Sequence, residues 1–204
     1  MRKRYAPFAQ ANGALYFQTR RDIMKKVLVL SGSPRKGGNS DILCDEFIKG
    51  ALSAGNEVEK IRVAEKKIGY CLGCYYCKEH GGRCVLNDDM GDILQKIIDA
   101  DVLVFATPVY FYSMSAQLKT LIDRTVARWT EIGNKELYYI MTSAEDEEDT
   151  MDATLASLHG FAMCVDGYDE KGILYGKGVT EKGEVKDRPE QMQIAYEMGQ
   201  SVHD

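Results

Sequence analysis

The chain has 204 residues, of which 45% are hydrophobic and 28% are charged, and its formal net charge is −5. This size and balance are those of a single globular domain with a sizeable core. They exclude a strongly basic protein whose overall charge would attract nucleic acid or an anionic membrane. No apolar stretch approaches the roughly 20 residues that cross a membrane, so neither nucleic acid nor a membrane is an expected partner.

The first 23 residues differ from the rest of the chain. They are basic, show no clear hydrophobic period and lack the apolar core of a signal peptide. Met24, which is followed by two lysines and a regular apolar run, has the character of a natural start. We therefore expect residues 1–23 to be an extension outside the fold, residues 24–204 to form one domain, and the protein to be cytoplasmic.

Strand and helix patterns alternate five times along residues 24–204. Short apolar or alternating runs between turn residues predict strands at 26–30, 57–63, 101–111, 136–143 and 171–179. Apolar residues at helical spacing predict helices at 42–51, 87–100, 115–129, 149–165 and 189–202. Alternation of this kind is typical of an α/β fold, a doubly wound five-stranded parallel sheet with helices on both faces.

The first loop, SGSPRKGGNS at residues 31–40, follows the first strand, where ligands bind in sheets of this type. Its glycines let the backbone approach an anion closely, and the start of the next helix adds exposed N–H groups. Its hydrogen-bond donors and positive charges are Ser33, Arg35, Lys36, Asn39 and Ser40. This composition predicts a phosphate monoester site, since an ordinary glycine-rich turn seldom carries as many donors.

The glycine spacing of the first loop differs from two common nucleotide motifs. The P-loop pattern requires a lysine where Gly38 stands, and the dinucleotide pattern requires a glycine where Pro34 stands. ATP chemistry and a site built first for a dinucleotide are therefore disfavoured.

Two motifs, VLVLSGSPRKGGNSD and ATPVYFYSMSAQLKTLIDR, resemble those of the NADPH-dependent FMN reductases, a group of flavodoxin-like proteins. They occur in the order and at the distance found in that group, and the resemblance extends from Met24 to the C terminus. It implies a flavodoxin-like fold, bound FMN, NAD(P)H as co-substrate, and a homodimer or homotetramer.

The resemblance assigns the FMN contacts to three loops. In the first loop, the phosphate would be held by Ser33, Arg35, Asn39 and Ser40. The second loop, beside the isoalloxazine ring, comprises Pro108, Val109, Tyr110, Phe111, Tyr112 and Ser113. The third loop comprises Thr142, Ser143 and Ala144.

The second loop also suits a flavin by its chemistry, because a flat apolar ring binds aromatic side chains and its polar edge binds backbone N–H groups. Pro108 is expected to end the strand before the aromatic residues, although three aromatic residues that complete a core strand are an alternative. Similar sequences often have glycine where Tyr112 stands, so its side chain is expected to change the shape of the entrance to the site.

Four cysteines, Cys71, Cys74, Cys77 and Cys84, have the spacing C-x2-C-x2-C-x6-C. A compact run of this type suits an iron–sulfur cluster, because a short loop can surround one face of a cubane with thiolates. The ferredoxin pattern differs, since its fourth cysteine follows after three residues and precedes a proline. The run resembles that of flavodoxin-like iron–sulfur flavoproteins, whose four cysteines lie between the second strand and a helix that begins at DDM. By that resemblance, the four cysteines are ligands of a [4Fe–4S] cluster.

The spacing of these cysteines leaves three other roles open. Zinc would favour two separated C-x2-C pairs, and a thiol–disulfide couple of Cys71 and Cys74 would favour a pair at the start of a helix, so both are disfavoured. The third role is packing, since related flavodoxin-like proteins have cysteines at this place without a cluster, and cluster and packing are about equally favoured. Cys44 and Cys164 lie on helical apolar patterns and are expected to be buried small hydrophobic residues.

Two functions follow from these patterns. The first is an FMN-dependent oxidoreductase that takes hydride from NAD(P)H and passes electrons to a quinone, a free flavin or another small acceptor. It requires no acid–base residue of the protein, because the flavin supplies the chemistry. The alternative is an electron carrier with FMN and a [4Fe–4S] cluster that works with ferredoxin-like partners. A third function, a zinc-stabilised binding module, is disfavoured.

Overall fold

The computed structural model describes residues 24–202, so the expectation for residues 1–23 lies outside the described part. Its strands are β1 (Lys26–Ser31), β2 (Glu57–Arg62), β3 (Val102–Tyr110), β4 (Ser113–Met114), β5 (Glu136–Thr142) and β6 (Asp169–Gly176). Its helices are α1 (Asn39–Ser53), α2 (Tyr76–Glu79), α3 (Met90–Asp99), α4 (Ala116–Arg124), α5 (Asp152–Ala162) and α6 (Pro189–Gln200). The five predicted strands and five predicted helices are all present, and the two-residue β4 and single-turn α2 are additional.

Five strands form a parallel sheet in the order β2-β1-β3-β5-β6, and β4 pairs antiparallel with β3. Leaving β4 aside, this is the 2-1-3-4-5 order of flavodoxin-like sheets, so the predicted fold class is confirmed. Within residues 24–202, no helix is both long and apolar enough to cross a membrane.

Helices cover both faces of the sheet. Side chains alternate along each strand, so Leu28 and Leu30 join the apolar cluster under α3, α4 and α5, while Val27 and Val29 join the cluster under α1 and α6. The helices α1 and α6 pack closely enough to require glycine, because a Cβ at Gly199 would lie 1.9 Å from a carbonyl oxygen of α1. The carboxyl edge of the sheet remains uncovered by these layers.

The third strand does not end at Pro108, as the sequence suggested. It continues to Tyr110, and Pro108 pairs in register with Thr142 of β5. On the opposite side, β1 pairs with β3 only as far as Ala106. Pro108 therefore lies where β3 has lost its β1 partner, and a strand tolerates the missing N–H at such an edge position.

Two helices, α4 and α5, are the ones most shortened relative to their predicted bounds. α4 ends at Arg124, and the hydroxyl of the next residue, Thr125, donates to a helix carbonyl at 2.7 Å in competition with the helical pattern. α5 ends at Ala162, so Cys164 lies beyond the helix and is exposed, contrary to the expectation that it is buried. Cys44, in the middle of α1, is buried as expected.

Candidate functional site

The three predicted loops meet at the carboxyl edge of the sheet. They follow β1, β3 and β5, which are adjacent strands. The register places Ser31 opposite Ala106 and Pro108 opposite Thr142, so the loops leave the sheet side by side. The strand order reverses between β1 and β3, which is where sheets of this type bind their ligands.

The first loop is fixed against the start of α4. The Gly32 N–H donates to the Ala106 carbonyl at 2.8 Å, and the Ser115 hydroxyl donates to the Gly32 carbonyl at 2.7 Å. A side chain at Gly32 would place its Cβ 2.8 Å from that of Leu118, so this close approach requires glycine. Ser115 is also the N-cap of α4, so one serine joins the end of β1 to the helix that follows the second loop.

Asp41 lies under the first loop and holds its glycine turn. It is buried in the first turn of α1, and its carboxylate accepts from the Gly37 N–H at 2.8 Å. Lys60 and Arg62 of β2 approach the same carboxylate at 2.7 and 2.5 Å. Burial acts to raise the pKa of Asp41, but the hydrogen bonds from Lys60 and Gly37 and the charge of Arg62 outweigh it and hold that pKa below its usual value. The carboxylate is therefore ionised at neutral pH.

The residues predicted to bind phosphate surround the first loop and differ in their contacts. The Ser33 hydroxyl oxygen accepts from the Arg35 N–H at 3.2 Å, which closes a local turn. The Arg35 side chain reaches the Thr180 carbonyl at 3.1 Å. Lys36 is exposed, and Ser40 is buried in the first turn of α1. The first loop therefore has positive side chains outside and short hydroxyl side chains inside.

Asn39 contacts residues 180–185, a segment that the sequence analysis did not assign to the site. Its side-chain nitrogen donates to the Glu181 carbonyl at 2.9 Å, and its side-chain oxygen accepts from the Gly183 N–H at 3.0 Å. Lys182 of the same segment lies beside the glycine turn of the first loop. This segment therefore adds another wall and another positive charge, and its only sequence signal is its three charged residues, Glu181, Lys182 and Glu184.

The second loop is a tight hairpin between β3 and β4. Tyr110 pairs with Ser113, so Phe111 and Tyr112 form a two-residue turn, with φ angles of +50° and +58°. Such turns usually contain Asn or Gly, and a positive φ at a bulky residue costs about 1–3 kcal/mol. Phe111 is fully exposed and Tyr112 largely so, which overturns the alternative that the aromatic residues complete the core. The hairpin thus presents strained aromatic side chains at the edge of the sheet.

The third loop begins at the end of β5. Thr142 and Ser143 are buried, and Ala144 is exposed. The Ser143 N–H donates to the Gly176 carbonyl at 2.9 Å, and its hydroxyl oxygen accepts from the Glu145 N–H at 3.2 Å. These bonds fix the loop to the end of β6 and leave its backbone beside the second loop.

The cysteine segment, residues 71–84, lies between β2 and α3 in the chain and contains only the single-turn helix α2. A cavity of about 140 Å³ with mainly apolar walls is lined by all four of its cysteines, Cys71, Cys74, Cys77 and Cys84. All four are free. In the described part of the chain, no three Cys, His, Asp or Glu side chains form a group that could hold a single metal ion, which is the arrangement zinc requires.

The sheet order, the glycine-rich first loop and the aromatic second loop define a flavodoxin-like protein with its ligand edge at the β1–β3 reversal. The model of the family described as NADPH-dependent FMN reductase matches residues 25–165. The chain belongs to this family. It is an FMN-dependent oxidoreductase that uses NAD(P)H, as the sequence analysis predicted.

Known proteins are similar to this chain in sequence or in fold, over half of its length or more. A protein named iron–sulfur flavoprotein from Methanocaldococcus jannaschii is 35% identical over 187 residues, which are 87% of this chain and 95% of that protein. Another protein of that name, from Archaeoglobus fulgidus, is 44% identical over 101 residues, 50% of this chain and 45% of its own. Among solved structures, NAD(P)H:quinone oxidoreductase from Methanothermobacter marburgensis matches with a TM-score of 0.65, covering 89% of this chain and 97% of that chain. At 18% identity, that structure shows the shared fold.

Proposed function

We propose that the FMN phosphate lies at the first loop, over the N terminus of α1. The support is the juxtaposition there of backbone N–H groups, buried hydroxyls and exposed cations. Ser33 and Ser40 would donate hydrogen bonds, and Arg35 and Lys36 would supply charge. Asn39 would act through residues 180–185, because both ends of its amide already bond to that segment.

The isoalloxazine ring would lie between the second and third loops. When bound, it accepts hydride from NAD(P)H and passes electrons to an acceptor. The chain's contribution is to bind and orient the ring: Tyr110, Phe111 and Tyr112 offer aromatic surface, and the backbone around Ser143 offers polar groups to its edge. Tyr112 would narrow the entrance, so flat acceptors such as a quinone or a free flavin would fit best.

Beyond the reductase activity, we propose that the cysteine segment holds a [4Fe–4S] cluster on its four thiolates. One observation carries this proposal, the opening of all four cysteine side chains onto the same apolar cavity. The donor set fits the group, since a cubane is held at its corners by four separated thiolates and not by ligands gathered around one ion. The names of the two relatives agree with this assignment. When bound, such a cluster supplies one-electron transfer, which would couple the flavin to ferredoxin-like partners.

Anaerobic purification, with flavin, iron and acid-labile sulfide measured on one sample, tests the cluster. About four irons per chain and a broad brown absorbance under the flavin bands are expected. Cys74→Ser should lose the iron and keep FMN, while Cys164→Ser is the matched control, since Cys164 is exposed outside the cavity. Flavin bands with no iron, even after anaerobic reconstitution, would show that the four cysteines have a packing role.

The second candidate is a simple NAD(P)H-dependent reductase without a cluster, which the family match favours. Anaerobic mixing with reduced ferredoxin separates the two candidates. NADH or NADPH should bleach the flavin absorbance rapidly in both, whereas reduced ferredoxin should bleach it rapidly only in a protein that has the cluster.

We also propose that the protein acts in the cytoplasm as a homodimer or homotetramer. Exposed free thiols favour a reducing compartment. The large apolar side chains of Phe111, Val126 and Trp129 remain exposed on the single chain, and a second copy would cover them. Sedimentation velocity measures the assembly directly, and a monomer at micromolar concentration would contradict it.

A further inference from the structure

A buried arginine at the border of the four-cysteine cavity joins the two ends of the cysteine segment. Arg124, the last residue of α4, is only 2% exposed. Its guanidinium donates to both carboxylate oxygens of Asp88, at 2.7 and 2.9 Å, and to the Gly69 carbonyl at 2.7 Å. Asp88 in turn accepts from the Gly69 N–H at 2.9 Å. Because Gly69 precedes Cys71 and Asp88 follows Cys84, this network holds both ends of the segment together.

The contacts inside the segment are mostly local. The Lys78 N–H donates to the Tyr75 carbonyl at 2.9 Å, and the rings of Tyr76 and His80 stack with centroids 3.7 Å apart. Contacts between such near neighbours shape the segment but do not fix its position on the sheet. That position depends on the network at its two ends and on the close packing of Gly82 against the side chain of Arg128.

The guanidinium also borders the cavity that the four cysteines line. Its Nε is buried and has no nitrogen or oxygen partner within residues 24–202, and the side chain of Cys84 lies beside the guanidinium. A second hydrogen bond links the two ends, from the Lys67 N–H to the Asp89 carboxylate at 2.7 Å. Neither Lys67 nor Asp89 lines the four-cysteine cavity. Arg124 is therefore the group that both closes the segment and adds a positive charge at the cavity. A lysine would keep the charge but lose the planar two-pronged contact with Asp88.

We propose that Arg124 is a positioning residue for the four-cysteine site. Through Asp88 and Gly69 it fixes the ends of the cysteine segment, so that the four thiols face one cavity. Its fixed charge beside the cavity favours the reduced, more negative form of a cluster held there, because nearby charges and hydrogen bonds set cluster potentials. The effect of Arg124 on a cluster rests on the proposed cluster, whereas its role in holding the two ends of the cysteine segment together does not.

The first test measures iron binding by the full-length, FMN-loaded chain after anaerobic reconstitution with ferrous iron and sulfide. Loss of an outer partner typically costs 10- to 100-fold in metal affinity, so Arg124→Met should weaken iron binding by about that factor and Arg124→Lys by less. Arg188→Met is the matched control, because the exposed Arg188 side chain donates to the Gly178 carbonyl at 2.9 Å and does not line the four-cysteine cavity. It should bind iron as wild type does.

Two further readouts separate positioning from general damage. Trypsin should cut the metal-free Arg124→Met and Asp88→Asn variants faster at Lys78 and Arg83, and the Arg188→Met control at the wild-type rate. In iron-loaded samples, the cluster midpoint potential should fall in Arg124→Met, rise in Asp88→Asn and stay unchanged in Arg124→Lys, with the FMN potential constant. Damage to the fold alone would not shift the two potentials in opposite directions.

The outcomes are distinguishable. If wild type takes up no iron, the proposed cluster fails, while the trypsin comparison still decides whether Arg124 closes the segment. If Arg124→Met is cut at the wild-type rate and binds iron at an unchanged potential, the inference is overturned. Should Arg124→Met fail to fold, Arg124→Lys and Asp88→Asn carry the same comparison, and wild-type behaviour of both would overturn it.

Discussion

Replacing Tyr112 by glycine should make the FMN-free protein more stable, although it removes a large side chain. Tyr112 has a φ of +58°, and its ring is mostly exposed, so the substitution relieves strain without opening a cavity. A left-handed non-glycine residue costs about 1–2 kcal/mol, whereas glycine loses about 0.5–1 kcal/mol more conformational freedom on folding. The difference favours the variant by roughly 0.5–1 kcal/mol, which corresponds to about 1–4 °C in Tm for a domain of this size.

Circular dichroism melting curves and urea titrations of the FMN-free proteins measure this difference. Gly55→Ala is the matched control, because Gly55 has a φ of +86° and nothing lies within 4 Å of a Cβ there. The same reasoning then applies with opposite sign, and Gly55→Ala should lower the free energy of unfolding by about 1 kcal/mol. If Gly55→Ala behaves so and Tyr112→Gly is also less stable than wild type, the strain argument is wrong.

Binding should change in the opposite direction to stability. If the flavin ring lies against the second loop as proposed, Tyr112→Gly removes one aromatic contact, and the FMN Kd should rise. A variant that is more stable when empty and weaker in binding is the result expected of strain held at a ligand site. Unchanged FMN affinity, measured by fluorescence quenching, would place the ring elsewhere.

Three further predictions concern the rest of the domain. Asp41→Asn should lower the free energy of unfolding at pH 7 by about 3 kcal/mol. This value is the low end of the cost of breaking a buried ion pair, because the partner Lys60 is partly exposed. Folding lowers the pKa of Asp41, so its contribution to the free energy of unfolding is full above the unfolded-state pKa of about 4. That contribution is lost as the pH falls through the lower folded-state pKa. Urea titrations of wild type and variant should therefore converge in acid. Gly199→Ala should destabilise by about 1–3 kcal/mol or more, because its Cβ would lie 1.9 Å from an α1 carbonyl oxygen, and an unchanged Tm would contradict that packing. At pH 8, iodoacetamide should modify the exposed Cys164 and spare Cys44, whose burial raises its pKa to about 12, as peptide mass mapping would detect.

The order of elements was predictable because it depends on local pattern. Val27 to Leu30 form one apolar run that is typical of a buried strand, and apolar or alternating runs between turn residues mark the other parallel strands. The end of β3 was not predictable, since a proline's tolerance in a strand depends on which neighbour is absent at that point. Pro108 lies where β1 has already ended, a fact of register that no local pattern contains.

Some residues of the candidate site were likewise predictable from local pattern, and others depend on contacts between distant parts of the chain. Glycine and hydrogen-bond donor content predicted the phosphate site of the first loop, and cysteine spacing predicted the cluster site of the cysteine segment. The contact of Asp41 with Lys60 and Arg62 was missed, because it requires the pairing of β1 with β2 to bring the β2 side chains beside the start of α1. The link from Asp88 to Arg124 was missed for the same reason, since 36 residues separate the two in the chain.

The helix α4 sets the spacing between the first loop and the end of the cysteine segment. Ser115 at its start bonds to Gly32 of the first loop, and Arg124 at its end bonds to Asp88 of the network that closes the cysteine segment. Its nine residues rise about 14 Å at 1.5 Å each, so a rigid rod and not a flexible loop separates the two regions. Its middle is fully buried through Leu118 and Leu121, which prevents the rod from sliding along the sheet. Changes in the exposed second loop can therefore alter which acceptor enters while the distance to the four cysteines stays constant.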